Sequence, residues 1–138
     1  MDLLKKGDPR LRMVAQPVEI ESDVTELVKY MKQALLDHSG IGIAANQVGD
    51  LIRIIIVVID GVPSCIINPV FAKKSSATFN SYEACLSVPG VNVKVKRSSN
   101  VVVTGFDENW KPVKYSLTGL EASCVQHEID HLNGKLIG

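Results

Sequence analysis

The 138-residue chain carries His127-Glu128-Ile129-Asp130-His131, an H-E-x-x-H pattern, seven residues before its last position. On an α-helix, residues four apart stack on one face, so both imidazoles can reach a single metal ion with Glu128 beside it. That combination is hydrolytic: a metal acidifies water and polarises a carbonyl, while a carboxylate moves the proton. An accidental match, leaving the histidines as ordinary core or surface residues, arises in roughly one in a few hundred chains of this length. The metal reading is therefore preferred.

Two histidines are not a complete site, because catalytic centres of this kind generally take three protein ligands and keep one position open. Cys124 lies seven residues before His131, roughly 10 Å along a helix axis, so packing suits it better than sharing the ion. Cys85 sits in Ser81-Tyr82-Glu83-Ala84-Cys85-Leu86-Ser87-Val88-Pro89-Gly90, a stretch of small and polar residues expected to be a functional loop between strands. Cys65, in the apolar Ser64-Cys65-Ile66-Ile67, reads as a buried small hydrophobe. Three cysteines without C-x-x-C spacing argue against a disulfide framework and fit a reducing compartment.

The elements that must position these residues are legible as periodicities. Thr118 and Glu121 form a capping-box pattern, Leu120, Cys124, His127 and His131 share one stripe, and Asn133-Gly134 supplies a stop, which predicts a helix over the motif. Asp23 and Glu26 repeat the capping pattern before Val24, Leu27, Val28, Met31 and Leu35, predicting an amphipathic helix that ends near Ser39-Gly40. Between the helices, β-branched runs broken by Asp60-Gly61, Asn68-Pro69, Pro89-Gly90 and Asp107-Glu108-Asn109 predict strands at 51–59, 62–67, 91–97, 100–106 and 112–117. A hairpin is expected around Ser98-Ser99-Asn100. The predicted class is α+β, with antiparallel sheets packed around the motif helix and one N-terminal amphipathic helix.

With 46% hydrophobic and 22% charged residues, the composition suits one globular domain spanning residues 1–138. Lys plus Arg and Asp plus Glu both number 15, so no basic field exists to draw in nucleic acid or an anionic membrane. The apolar run from Leu51 to Ile59 is interrupted by Arg53 and is far short of the roughly 20 residues needed to span a bilayer. No apolar run follows Lys5 and Lys6, so a secretory signal is not expected, and the expected location is the cytoplasm.

Three segments, Gly40-Ile41-Gly42-Ile43-Ala44-Ala45-Asn46-Gln47, Glu83-Ala84-Cys85-Leu86-Ser87 and Gln126-His127-Glu128-Ile129-Asp130-His131, together resemble the three signature motifs of the peptide deformylases in order and spacing. The resemblance spans most of the chain, from Gly7-Asp8-Pro9-Arg10-Leu11-Arg12 to Asn133-Gly134. It implies hydrolytic removal of the formyl group from N-formylmethionine on newly made polypeptides. By the same resemblance Cys85, His127 and His131 are metal ligands and Glu128 is the general acid and base. Gln47 and the Leu86 backbone N–H are implied as donors to the formyl oxygen. Ile41, Leu120, Ser123 and His127 are implied to line the methionine pocket, Gly42 to bind substrate by letting its backbone pair closely with an extended peptide, and Glu83 and Arg97 to form a supporting ion pair. Asp130 is expected to fix structure. The implied metal is Fe(II), with Zn(II), Ni(II) or Co(II) able to substitute.

Two departures stand out. Ala84 replaces the motif's usual glycine, costing on the order of 1 kcal/mol if the backbone there needs positive φ. The chain stops at Gly138, whereas bacterial members commonly continue, so a short form without ribosome contact through that segment is expected. The expected state is a monomer in a bacterial-type translation system, with a phage or other mobile element among the sources. Two rival classes stay open. A zinc-dependent peptidase would share H-E-x-x-H but give Cys85 and Gln47 no task. A non-catalytic formyl-peptide-binding metal domain would need a closed metal site or a dispensable Glu128.

Overall fold

The computed structural model describes residues 3–136. The chain runs through a 3-10 turn (Pro9–Arg12), α1 (Thr25–Asp37), β1 (Gly42–Ala44), a second 3-10 turn (Ala45–Val48), β2 (Ile54–Ile59), β3 (Val62–Lys74), β4 (Thr78–Cys85), β5 (Val88–Ser98), β6 (Asn100–Phe106), β7 (Pro112–Thr118) and α2 (Gly119–Leu132). All pairings between these strands are antiparallel: β1-β2-β3-β6-β7 form one sheet and β4-β5 a separate ribbon. The α+β class with antiparallel sheets is thus the architecture observed.

The continuous apolar run of β2 has a physical cause: both of its faces are covered. Ile55, Val57 and Ile59 pack with Ala122, Val125, Ile129 and Leu132 of α2, while Ile54 and Ile56 pack with Val28, Met31 and Leu35 of α1. Because side chains alternate along a strand, the five-stranded sheet presents one face to each helix. Each fully buried Ile or Leu contributes about 1.5–3 kcal/mol, so this double burial fixes α2 against the sheet.

Several expectations are corrected. Ser98-Ser99-Asn100 is not a hairpin, since β5 pairs with β4 whereas β6 pairs with β3 and β7. The side chain of Gln126 takes the place of a partner strand there: its Oε1 accepts from the Ser98 N–H and its Nε2 donates to the Ser98 carbonyl, both at 3.0 Å. The segment around Cys85, expected to be a loop, is mostly strand: β4 ends at Cys85 and only Leu86 and Ser87 turn before β5. Asn68-Pro69 does not separate strands but lies at a register shift inside β3. Asn68 has φ +52, a left-handed conformation that asparagine tolerates, and its side chain bonds both the N–H and carbonyl of Val18. Neither capping box forms as read. Thr118 makes no cap bond, Glu121 instead accepts from the Asp60 N–H at 2.7 Å, and Asp23 accepts from the Thr25 N–H at 3.0 Å.

Candidate metal centre

The site is built where α2 passes the end of β4. His127 and His131, one turn apart on α2, bring their Nε2 atoms to 3.2 Å, and Cys85 Sγ lies 3.2 Å from His131 Nε2. All three side chains are buried and their donor atoms lie within 4.8 Å of one another. One thiol and two imidazoles converging at this range, each able to offer a lone pair, are a donor set that fits a divalent zinc- or iron-type ion.

Orientation comes from a chain of charged groups. His127 Nδ1 lies 2.9 Å from Glu83 Oε1, which leaves Nε2 for the centre. Arg97 grips Glu83 through two bonds, Nε to Oε2 at 2.8 Å and Nη2 to Oε1 at 2.7 Å, and donates through Nη1 to Asp130 Oδ2 at 2.6 Å. The ribbon is thereby clamped to α2. Burial pushes the Glu83 carboxyl up, but hydrogen bonds from Arg97, His127 and Ser81 outweigh it and hold it at about 2. Burial lowers the His127 pKa, yet bonding to Cys85 and Glu83 lifts it to about 10, while burial and the His127 charge hold His131 at about 3.

Glu128 is buried, its Oε1 has no hydrogen-bond partner among the described residues, and burial drives its pKa up to about 7 against the pull of His127. Its carboxylate abuts Gly42, where an added Cβ would stand 2.7 Å from Oε2. Glycine is required here by close approach. Gln47 follows β1 in the 3-10 turn and is 1% exposed. Its Oε1 accepts from the Ala44 N–H at 2.9 Å, which turns Nε2 toward Ser87 Oγ at 3.2 Å and Cys85 Sγ at 3.9 Å. Leu86 stands in the β4-β5 turn directly after Cys85.

These groups share a cavity of about 470 Å³ whose walls include Ile41, Gly42, Leu120, Ser123 and Leu86. Ile41 and Leu120 are exposed at its mouth, whereas Ser123 is buried and donates its hydroxyl to the Leu120 carbonyl at 2.9 Å. Cys124 also lines it, but its thiol donates to the Ile41 carbonyl at 3.4 Å and burial raises its pKa, so it stands apart from the Cys85 cluster. Ala84 is not among the described residues with positive φ, so the feared strain is absent. Sequence reasoning missed Asn46, fully buried, whose Nδ2 donates to the His131 carbonyl at 2.6 Å. It also missed Lys5, Ser81 and Tyr82 in the cavity wall. The polar residues Ser81 and Glu83 on the inner face of β4 were the available signal for that strand.

The polypeptide deformylase family model matches residues 1–138. The chain belongs to the polypeptide deformylase family. A peptide deformylase of Dictyoglomus thermophilum is 43% identical over 137 residues, covering 99% of this chain and 89% of that protein. Among solved structures, the deformylase of the Vibrio parahaemolyticus bacteriophage VP16T, in complex with actinonin, superposes with a TM-score of 0.96 at 44% identity, covering 99% of this chain and 100% of that one. The Synechococcus elongatus deformylase, also in complex with actinonin, gives 0.92 at 38% identity, covering 99% and 75%.

Proposed function

We propose that residues 1–138 act as one catalytic domain that removes the formyl group from N-formylmethionyl polypeptides, with α2 as the central element around which the sheets pack. The observation that carries this reading is the convergence of Cys85, His127 and His131 beside the buried Glu128, with Cys85, His127 and Glu128 lining one cavity. Cys85, His127 and His131 hold a divalent ion, which when bound supplies Lewis acidity that acidifies water and polarises a carbonyl.

The chain's own residues do the rest. Ile41 and Leu120 guide the methionine side chain into the cavity, with Gly42 and Ser123 behind them. β1 is an edge strand of its sheet, so an extended peptide can add to its free edge by main-chain bonds. Gln47 Nε2 and the Leu86 N–H donate to the formyl oxygen as it gains negative charge, and losing one such donor typically costs about 100- to 1,000-fold in rate. Glu128, with its pKa lifted near neutrality, accepts a proton from the attacking water and returns it to the departing nitrogen. The C–N bond breaks, releasing formate and a free amino terminus. Glu83, Arg97 and Asp130 keep His127 oriented throughout.

Fe(II) is the proposed physiological ion, with Zn(II), Ni(II) or Co(II) as substitutes, since imidazole and thiolate serve all of them. The proposed setting is the cytoplasm of a cell with bacterial-type translation, acting as a monomer. Similarity to deformylases of two bacteriophages supports a phage or other mobile element as the source. No helix among the described residues is long and apolar enough to cross a membrane. The test is formate release from formyl-Met-Ala-Ser compared with cleavage of an internal peptide bond. Formate release alone supports a deformylase; internal cleavage without formate supports a peptidase. Actinonin, bound in the two relatives, is expected to compete with the substrate.

A further inference from the structure

Resting on the assignment of Gln47 and Leu86 as paired donors to the formyl oxygen, we infer that residues 3–6 form a positioning splint that sets the spacing between them. The two donors belong to different sheets. Gln47 follows β1 of the five-stranded sheet, whereas Leu86 stands in the turn of the β4-β5 ribbon, which shares no strand pairing with that sheet among the described residues. No strand ladder therefore fixes their separation.

The N-terminal segment bridges that gap with its main chain. The Leu4 N–H donates to the Gln47 carbonyl at 2.8 Å and the Lys6 N–H donates to the Ser87 carbonyl at 2.9 Å. Residues two apart on an extended segment direct their backbone groups to the same side, which is why positions 4 and 6 can serve both partners. Lys5 adds a third contact, its Nζ donating to the Leu86 carbonyl at 3.3 Å. The splint is itself held at both ends. Leu3 is 8% exposed and packs in the α1-side core, while the Asp8 N–H donates to the Lys5 carbonyl and Leu11 is fully buried just beyond. Across the same gap Gln47 Nε2 reaches Ser87 Oγ, so side chain and main chain hold the two loops together.

Donors that stabilise developing charge must be held within about 0.5 Å of their productive place. Loosening one tie of this splint is expected to lower kcat about ten-fold, an intermediate fraction of the loss that a full 1 Å misplacement causes. The residues act through Gln47 and Leu86 and touch no reacting atom.

The test deletes single N–H groups in the full-length, metal-loaded protein. Leu4→Pro and Lys6→Pro each remove one donor, while Lys6→Ala removes the side chain and keeps the N–H. The proline variants should lose about ten-fold in kcat with KM and metal content little changed, and Lys6→Ala should stay within about two-fold of wild type. A second readout does not depend on turnover: the buried Gln47 side-chain amide pair in a ¹H–¹⁵N spectrum should shift and lose exchange protection in the proline variants only. If a proline variant fails to fold, an ester in place of the same amide, introduced by ligating a synthetic 1–64 segment at Cys65, removes the N–H alone. Unchanged kcat and an unchanged Gln47 resonance in these variants, or an equal loss in Lys6→Ala, would overturn the splint. Absence of formate release by the wild type would instead sink the proposed function, with the Gln47 resonance still judging the splint.

Discussion

Placing a methyl group on Gly42 probes the tightest contact in the site. A Cβ there would meet Cys124 Sγ at 2.6 Å and Glu128 at 2.7 Å from Oε2 and 3.1 Å from Cγ, where ordinary contact begins at 3.4 Å. The carboxylate must therefore retreat by about 0.7 Å, most of the 1 Å misplacement that can cost roughly 100-fold in rate. Gly42→Ala should lower kcat/KM by about 100-fold, equivalent to about 2.7 kcal/mol of barrier. Overpacking should also cost about 1–3 kcal/mol of stability. Adding Cys124→Ala relieves the sulfur contact and should restore part of the stability, but leaves the carboxylate displaced and the activity low. The assay is formate release per bound metal, alongside thermal unfolding of each variant. Activity of Gly42→Ala within about three-fold of wild type at equal metal content would refute the reasoning, because it would mean that Glu128 can move without consequence.

Other perturbations act on the supporting groups. Arg97→Ala strips Glu83 of its two-pronged partner and should destabilise the protein by about 3–5 kcal/mol. It should also weaken metal affinity about 10- to 100-fold in chelator competition, because His127 loses its orientation. The folded-state pKa of Glu83 is about 2 against an ordinary 4.5, so its contribution is fully present above pH 4.5 and disappears as pH falls from there toward 2. After discounting for solvent screening this amounts to about 2 kcal/mol, and acid unfolding of the metal-free protein should flatten over that window in Glu83→Gln. Chelation should lower the melting temperature, because the ligands join a strand end to a helix; an unchanged value after verified metal loss would contradict that. Metal uptake should release protons, since the ligands bind in their deprotonated forms and the surroundings of His127 raise its pKa, and isothermal titration in buffers of different ionisation enthalpy would detect it.

The parts legible in the sequence are those where one side chain reports one environment. β2 announced itself because both faces are apolar and buried, and Val91, Val93 and Val95 alternate with exposed Asn92, Lys94 and Lys96 as a half-covered strand should. The histidine pair was readable because helical spacing alone places both rings together. β4 was hidden because two of its three inward positions, Ser81 and Glu83 beside Cys85, are polar residues that a hydrophobic period cannot detect. Gln126 defeated the hairpin expectation by satisfying Ser98 through a side chain distant in sequence. The contacts of residues 4 and 6 are invisible for a simpler reason: every non-proline residue carries a backbone N–H, so nothing in the residue types marks these two.

Formate release from formyl-Met-Ala-Ser, measured side by side for the wild type and Glu128→Ala after anaerobic loading with iron, bears most directly on the site described. The wild type should bind one metal per chain and release formate with turnover, while Glu128→Ala should bind the same metal, keep its fold and be slower by about 100- to 10,000-fold. No formate from fully metal-loaded wild type, or undiminished turnover in Glu128→Ala, would contradict a deformylase built on Cys85, His127, His131 and Glu128.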